Sequence, residues 1–502
     1  MDDTQSSDRK TTGEGSIKGL LEWLALTHGH PDVEDTEGLL QQLLNLREAP
    51  IAPAQRVKLL ELLYAHSETL VRNALPQLRV LSLPIPRKTR QRVRLLLELL
   101  ETLTQDHFNT LASLFDPKGN TLGNGAQSSL RRAMQAIAWQ IHIHHLVAAP
   151  ARPGLWQELH AAMRTAQRLG VEQLPGPRGS ASIQRLYTNI LLSAIAQPAS
   201  FSADELSFIL TLVEQLPDAP ALNASPAEPI ISNFWIDLER DFPAHALARR
   251  TPSPDAKPVY FSTAAQALAI AKIRTQLATG TAPVALGLPE FAATHDGFGV
   301  LRRLERLWGE PAKRKFPRRR QSYRTRLCAG LDAVYRILKS PSASIDDSEW
   351  MVTNESPEGF ALMHMAGSTT HLRLGDIVAI QTQEERISGN WHVCIIRWAI
   401  SENPEHVELG LQLLAPAAIP VCLALPKNPA AGQAKAVLLP EALPLRPGQS
   451  LVVAPGLLRE DSRQIIMIVE KENLRIREVC TTGIDEQTGA LEIFPIRPDS
   501  AD

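Results

Sequence analysis

The chain has 502 residues, a formal net charge of -2 and 44% apolar residues. That length accommodates two to four globular domains. The near-neutral charge excludes a general attraction to nucleic acid or to a membrane surface. No apolar run approaches the roughly 20 residues of a membrane span, and the polar N-terminus lacks the apolar core of a secretory signal. We therefore expect a cytoplasmic protein without membrane insertion.

The first half of the chain is predicted to be helical. Residues 1–16 are polar and predicted to be disordered. From residue 17 to about 215, apolar residues recur at helical spacing between short Pro- and Gly-rich loops, which predicts an all-helical array of antiparallel neighbours. No fixed-period repeat identifies this region with a known family. Residues 216–310, with their Pro- and Ala-rich segments, are predicted to be a linker with further helices.

The second half is predicted to be built from β-strands, which makes the whole chain a multidomain α + β protein. After Phe316 the apolar period changes from 3.6 to 2, and six strand-like segments up to residue 416 predict a small antiparallel barrel. The first of these predicted strands runs over 324–338. Six further segments in 417–502 predict a second β module. A short echo, LRLGDIVAI at 372–380 and LRPGQSLVV at 445–453, hints that this module is a related barrel.

Two short motifs stand at the start of the β region. The basic segment 311–326 contains Arg320 and Arg324 four residues apart. About thirty residues later, Asn354, Ser356 and Gly359 form the pattern N-x-S-x-x-G. Each motif alone is weak. Together, in this order and followed by barrel-like strands, they resemble the signature of the PilZ domain, a bacterial receptor for the second messenger cyclic di-GMP.

The resemblance covers 311–416 and implies a six-stranded β-barrel that binds cyclic di-GMP. By resemblance, Arg320 and Arg324 hold the ligand, with Arg319 as a helper. The chemistry suits the ligand, because guanine presents its O6 and N7 acceptors to an arginine fork and arginine also binds phosphate oxygens. Arg314 with Arg318 offers a second possible arginine pair at the same spacing.

The second motif supplies the other wall of the site implied by the resemblance. The amide of Asn354 and the hydroxyl of Ser356 can pair with polar edges of the ligand, and Gly359 lets the backbone approach closely. The chain would then be a cyclic di-GMP effector in which the barrel is the sensor. The helical region would be the output or docking surface for a protein partner.

Two other functional classes remain open. One is a protein-interaction scaffold with a barrel that binds no nucleotide, favoured by Glu355 and Glu358 inside the turn. The other is nucleic-acid binding through the basic segment. The near-neutral net charge argues against it, and so does the presence of only Phe316 and Tyr323 as stacking residues around this segment. An enzyme is not expected, since no P-loop, GxSxG or Rossmann pattern and no group of acid, base and nucleophile is found.

Neither a cofactor nor a metal is expected. Two histidine groups have spacings that only partly match metal sites, because one lacks a final ligand and the other does not converge on one helical face. The residues concerned are His28, His30 and Asp32 in the first group, and His142, His144 and His145 in the second.

Overall fold

The computed structural model describes most of the chain. The described residues are 17–26, 33–79, 84–113, 123–311, 316–340, 347–382, 390–403, 406–425, 433–443, 446–460, 462–470 and 474–499. The predicted disorder at 1–16 and the group of His28, His30 and Asp32 lie outside them. Two compact units are present. One holds the first seven helices and a small sheet, and the other holds the remaining helices and both barrels.

The first unit is the predicted helical array. Its helices are α1 (17–26), α2 (Val33–Glu48), α3 (Pro53–Arg79), α4 (Arg87–Ser113), α5 (Gly123–Leu146), α6 (Leu155–Leu169) and α7 (Ile183–Ile195). Helices α4 and α5 form its centre, because α4 packs against α2, α3 and α5, and α5 also packs against α6 and α7. Leu99, Leu103 and Ile137 are fully buried there, as expected for apolar stripes at helical spacing.

The segment predicted to be a linker instead contains a three-stranded antiparallel sheet. Its strands are β1 (Asn233–Asp237), β2 (His245–Ala246) and β3 (Pro258–Ser262), in the order β2-β1-β3. All five residues of β1 are buried, and Phe234 stacks on Phe261 of β3. An aromatic cluster between two Pro-rich stretches therefore provides enough apolar area to form a sheet. The Pro- and Ala-rich composition around it predicted a linker instead.

The sheet is joined to the helices of its own unit through an aspartate. Asp241, after β1, accepts hydrogen bonds from the backbone N–H groups of Gly154 at 2.6 Å and Trp156 at 3.1 Å. These amides belong to the start of α6, where N–H groups lack partners within the helix. A carboxylate in this position satisfies them and is favoured by the helix dipole. The same segment is thus an integral part of the unit.

The second unit begins with three helices. These are α8 (Ala203–Gln215), α9 (Ala264–Ala278) and α10 (His295–Gly309). Although 17–215 was predicted to be one helical domain, α8 belongs to this second unit. Its partner is α10, where Arg303 forms an ion pair with the buried Glu205 of α8. Among the helices that the structure describes, none combines the length and apolar character needed to cross a bilayer.

The predicted first barrel is present and closed. Its strands in chain order are β4 (Arg319–Ala329), β5 (Ser348–Ser356), β6 (Gly359–Ala366), β7 (Ile377–Thr382), β8 (His392–Asn403) and β9 (His406–Ala415). They close in the ring order β4-β5-β6-β9-β8-β7. Leu327, Trp350 and Ile380 lie in its interior. The first strand ends earlier than predicted, because Gly330, with φ of 91°, precedes a helix, α11 (Leu331–Lys339).

The second β module is also a closed barrel. Its strands are β10 (Ile419–Ala424), β11 (Gln433–Leu439), β12 (Ser450–Val453), β13 (Ile465–Glu470), β14 (Leu474–Thr481) and β16 (Glu492–Pro498), with the short β15 (Glu486–Gln487) on its edge. Numbered within each barrel, both rings follow the order 1-2-3-6-5-4. The topology supports a related architecture. The sequence echo is not its cause, since it leads into the fourth strand of one barrel and the third strand of the other.

The two barrels share a buried apolar interface. Helix α11 contributes Val334 and Ile337, the first barrel contributes Ile395, and the second contributes Val452 and Ile493. Each of these residues is at most 2% exposed. Burial of this kind is worth about 25 cal/mol per Å² of apolar surface, so the interface holds the two barrels together. The strand sequence of each barrel therefore buries two faces, one inside the barrel and one against its neighbour.

Candidate ligand-binding site

The ladder between β4 and β5 brings the two sequence motifs together. Arg320 lies directly opposite Asn354, and Arg319 lies opposite Glu355. Side chains on directly opposed positions of antiparallel strands are about 4.5–5.5 Å apart at Cβ. Both arginines are exposed, whereas Asn354 is half-buried. The arginine motif thus lies on a strand of the barrel, with its first member beside the second motif.

Arg324 lies farther along the same strand. A register shift separates Arg320 from Tyr323, after which Arg324 pairs with Met351. Its guanidinium nitrogen Nη1 is 3.8 Å from Oε2 of Glu349. Both side chains are well exposed, so this contact contributes little and can exchange for a ligand. The two motif arginines are therefore about 13 Å apart along an extended strand, a spacing suited to different groups of one elongated ligand.

The hairpin between β5 and β6 carries the rest of the second motif. Ser356 pairs with Gly359 across this tight turn, and the hydroxyl of Ser356 donates to the Gly359 carbonyl oxygen at 3.3 Å. Gly359 has a φ of 155°, and a Cβ there would lie 1.9 Å from the carbonyl oxygen of Leu411. Only glycine fits this position, because β9 passes directly over it. The glycine is required by the barrel itself.

An acidic group also lies in the site. The hydroxyl of Tyr323 donates to Oε2 of Glu355 at 3.0 Å across the same two strands. This carboxylate is opposite Arg319, so it offsets part of the positive charge that the arginines bring. Arg318 lies just before β4 and is exposed, whereas Arg314, the other member of the second arginine pair, lies outside the described residues.

Two residues next to the turn lie outside both sequence motifs. Gln412 of β9 pairs with Gly359, and its Oε1 accepts a hydrogen bond from Nε of Arg397 at 2.7 Å. Arg397 belongs to β8, where the ladder to β9 shifts register between Ile396 and Trp398. In the sequence, Arg397 lies within one of the segments predicted to be strands of the first barrel. No local pattern links it to the motifs, since the contact depends on the pairing of β6, β8 and β9.

Two family models match the chain. The model described as the middle PilZ domain of the cyclic-di-GMP receptor FimW matches residues 339–420, and the model of the N-terminal domain of the same receptor matches residues 18–226. The chain contains a PilZ domain. This domain is the first barrel, as the motifs predicted, and both matching models are described as domains of a cyclic-di-GMP receptor. The helical region, for which the sequence suggested no family, matches the same receptor.

The PilZ match includes the second motif but not the arginine motif. Residues 339–420 include Asn354, Ser356 and Gly359, but they begin after β4 and so leave out Arg320 and Arg324. The roles of all five residues remain predictions. A search of the curated proteins found no match. In the described part of the chain, no cluster of three His, Cys, Asp or Glu side chains is placed to hold a metal ion.

Proposed function

We propose that the PilZ barrel binds cyclic di-GMP on its outer surface, at β4, β5 and the turn into β6. The observation that carries this proposal is the pairing of Arg320 with Asn354, because it joins the arginine motif to the N-x-S-x-x-G turn. A guanidinium fork can bind O6 and N7 of a guanine or the oxygens of a phosphate. Arg324 would extend the positive surface along β4. Arg319 would be a helper, because its side chain leaves the opposite face of the strand from that of Arg320.

Titration calorimetry of the full chain with cyclic di-GMP tests this site. Loss of one bidentate arginine contact should cost on the order of 1–3 kcal/mol, so Arg320→Ala and Arg324→Ala should each weaken binding about 5- to 150-fold. Arg336→Ala is the matched control, since it removes an exposed arginine of α11, outside the site. GTP controls for general affinity for guanine nucleotides. Equal affinity in all four proteins would place the site elsewhere.

The helical region would serve as the output or as the docking surface for a protein partner. The match of this region to a receptor's own N-terminal domain supports a role in the same system. Nucleotide binding would shift the population of conformations available to the chain. Solution scattering with and without saturating cyclic di-GMP tests this step. Superimposable profiles, obtained while calorimetry shows binding, would argue against a conformational output.

The alternative with a specific observation behind it is a scaffold whose barrel binds no nucleotide. Glu355 places a carboxylate opposite Arg319 and against Tyr323, where a dianionic ligand would approach. If cyclic di-GMP produces no heat and no competition at high concentration, this alternative becomes the better description. The helical unit would then be the place to search for a partner.

A further inference from the structure

The residue of greatest interest outside the two motifs is Arg397. Its Nε donates to Gln412, whose strand lies directly beside the turn at Gly359. Gln412 is exposed, whereas its neighbour Leu411 points into the barrel. Adjacent strands are about 4.8 Å apart, so Arg397, two strands from Gly359, starts roughly 10 Å from the turn. Its long side chain shortens that gap.

The same guanidinium also joins the PilZ barrel to the second barrel. Nη2 of Arg397 lies 2.7 Å from Oε2 of Glu486 on β15, and the Glu486 side chain is only 8% exposed. Burial favours the neutral form of this carboxyl, but the attraction of Arg397 and its hydrogen bond hold the pKa of Glu486 below its ordinary value. Arg306 and Arg303 of α10 add to this effect. The Glu486 carboxyl is therefore stabilised in its charged form by the nearby arginines.

Arg397 has donors left over for a ligand. A guanidinium carries five N–H donors in a planar fork, and the contacts with Gln412 and Glu486 use Nε and Nη2. Its side chain is 26% exposed, so the remaining edge can be reached from solvent. An anion bound at the turn would interact with the Arg397 guanidinium, whose charge is already partly neutralised by Glu486.

We propose that Arg397 is an affinity-determining residue of the nucleotide site, and that Glu486 of the second barrel competes with the ligand for its guanidinium. Nucleotide binding would then weaken the ion pair between the barrels. This inference rests on the proposed function, because it assumes that cyclic di-GMP lies at the N-x-S-x-x-G turn. It adds a residue from a third region of the chain and makes the second barrel a regulator of the site.

A double-mutant cycle in the full chain tests the competition. Arg397→Gln should weaken cyclic di-GMP binding about tenfold, the loss expected for one charged contact. Glu486→Gln should tighten binding a few-fold, because the guanidinium loses its competitor. In the double variant the gain from Glu486→Gln should vanish, since no guanidinium remains to be released. Additive effects of the two substitutions would overturn the proposal.

The matched control is Glu460→Gln. It also discharges a carboxylate of the second barrel that is paired with an arginine, in this case Arg302 at 2.7 Å, and it should leave the affinity unchanged. Arg397→Lys keeps the charge and gives a second variant should Arg397→Gln fail to fold; it should bind with intermediate affinity. If the Arg397 variants bind cyclic di-GMP as tightly as wild type and only their unfolding midpoint is lower, the ion pair with Glu486 is purely structural and the proposal is refuted.

The outcomes separate this inference from the function on which it rests. If Arg320→Ala weakens binding and Arg397→Gln does not, the nucleotide site stands and the competition is refuted. If the wild-type chain does not bind cyclic di-GMP, both are refuted together.

Discussion

The Tyr323 hydroxyl donates a hydrogen bond to the Glu355 carboxylate across β4 and β5. This contact holds the negative charge of Glu355, a residue inside the second motif, beside the strand that carries the arginine motif. Glu355→Gln should therefore tighten cyclic di-GMP binding by about 0.5–1 kcal/mol, the scale of a partly exposed charge pair. Calorimetry at moderate ionic strength measures the change, and the gain should shrink as salt is added.

Tyr323→Phe is the control for the Glu355 substitution. It removes the hydrogen bond but keeps the carboxylate, so it should not tighten binding. Weaker binding by Glu355→Gln would instead mean that the carboxylate accepts hydrogen bonds from the ligand, since guanine carries N–H donors as well as acceptors. That result would give Glu355 a place among the binding residues.

Gly359 is predicted to be essential for the fold of the barrel as well as for the ligand. A Cβ at this position would lie 1.9 Å from the Leu411 carbonyl oxygen, and no side-chain rotation can relieve this clash because the atom it meets belongs to the backbone of β9. Gly359→Ala should lower the free energy of unfolding by about 2–4 kcal/mol, the upper range for single substitutions. Denaturant unfolding followed by tryptophan fluorescence measures this change, since Trp350 lies inside the same barrel.

Gly448→Ala is the matched control for that substitution. A Cβ at Gly448 would meet no atom within 4 Å, and the residue does not have a positive φ. This variant should be neutral or slightly stabilising, because alanine restricts the unfolded chain. If the two variants unfold at the same denaturant concentration, the close approach of β9 does not constrain position 359.

The sequence predicted the barrels well because alternation of apolar residues is a local signal. All six strands of each barrel were visible as short apolar segments, and the fold class followed from their number. The resemblance implied that the two motifs form one site, but it did not predict the pairing of Arg320 with Asn354, which depends on the register of β4 and β5. The contact of Arg397 with Glu486 was not, because it joins residues 89 positions apart through a packing of barrels that no local pattern encodes.

Two local errors have physical causes. Residues 331–338 alternate well enough to resemble a strand, but the positive φ of Gly330 turns the chain, and Val334 and Ile337 are buried on one helical face. Residues 233–237 lie between Pro-rich stretches, and their burial comes from a partner strand more than twenty residues later. In both cases, tertiary packing decided what the local composition left ambiguous.

Burial at the start of β7 predicts a dependence of stability on pH. Burial raises the pKa of Asp376 from 3.8 to about 6, although the N–H of Ile377 and the charge of Arg373 oppose this shift. The folded protein therefore binds this proton more tightly than the unfolded chain does. Between pH 4 and pH 6, stability should fall as the pH rises, by roughly 2–3 kcal/mol from this group alone.

Asp376→Asn should remove that component. An amide oxygen can still accept the 2.8 Å hydrogen bond from the backbone of Ile377, and it carries no charge to desolvate. Denaturant unfolding at pH 4, 5, 6 and 7 should show a growing advantage of the variant over wild type up to about pH 6. Asp332→Asn, which removes an exposed aspartate of α11 paired with Lys435, is the control for the loss of a surface carboxylate. If the difference in free energy of unfolding between Asp376→Asn and wild type is the same at all four pH values, the pKa of Asp376 is not raised.

The helical unit should respond to acid in the opposite direction through His107. Its side chain is 2% exposed, and neither ring nitrogen has a hydrogen-bond partner among the described residues. Burial lowers its pKa from 6.5 to about 4, so only the unfolded chain takes up a proton between these values. Stability from this group is complete above pH 6.5 and should be lost as the pH falls to 4, by about 3 kcal/mol.

His107→Leu should remove the contribution of this one side chain to the acid sensitivity and also stabilise the unit at neutral pH. His142 and His145 of α5, whose pKa values burial also lowers, to about 4 and about 3, should keep their own contributions. Leucine has a similar size and leaves no buried polar atom, and an unsatisfied polar group costs about 1–3 kcal/mol. Urea unfolding followed by circular dichroism at 222 nm reports on the helices at pH 7.5 and pH 5. The variant should gain stability at both values, and more at pH 5. A loss of stability at pH 7.5 would mean that the imidazole packs against Tyr64, its ring neighbour at 6.1 Å, better than leucine can.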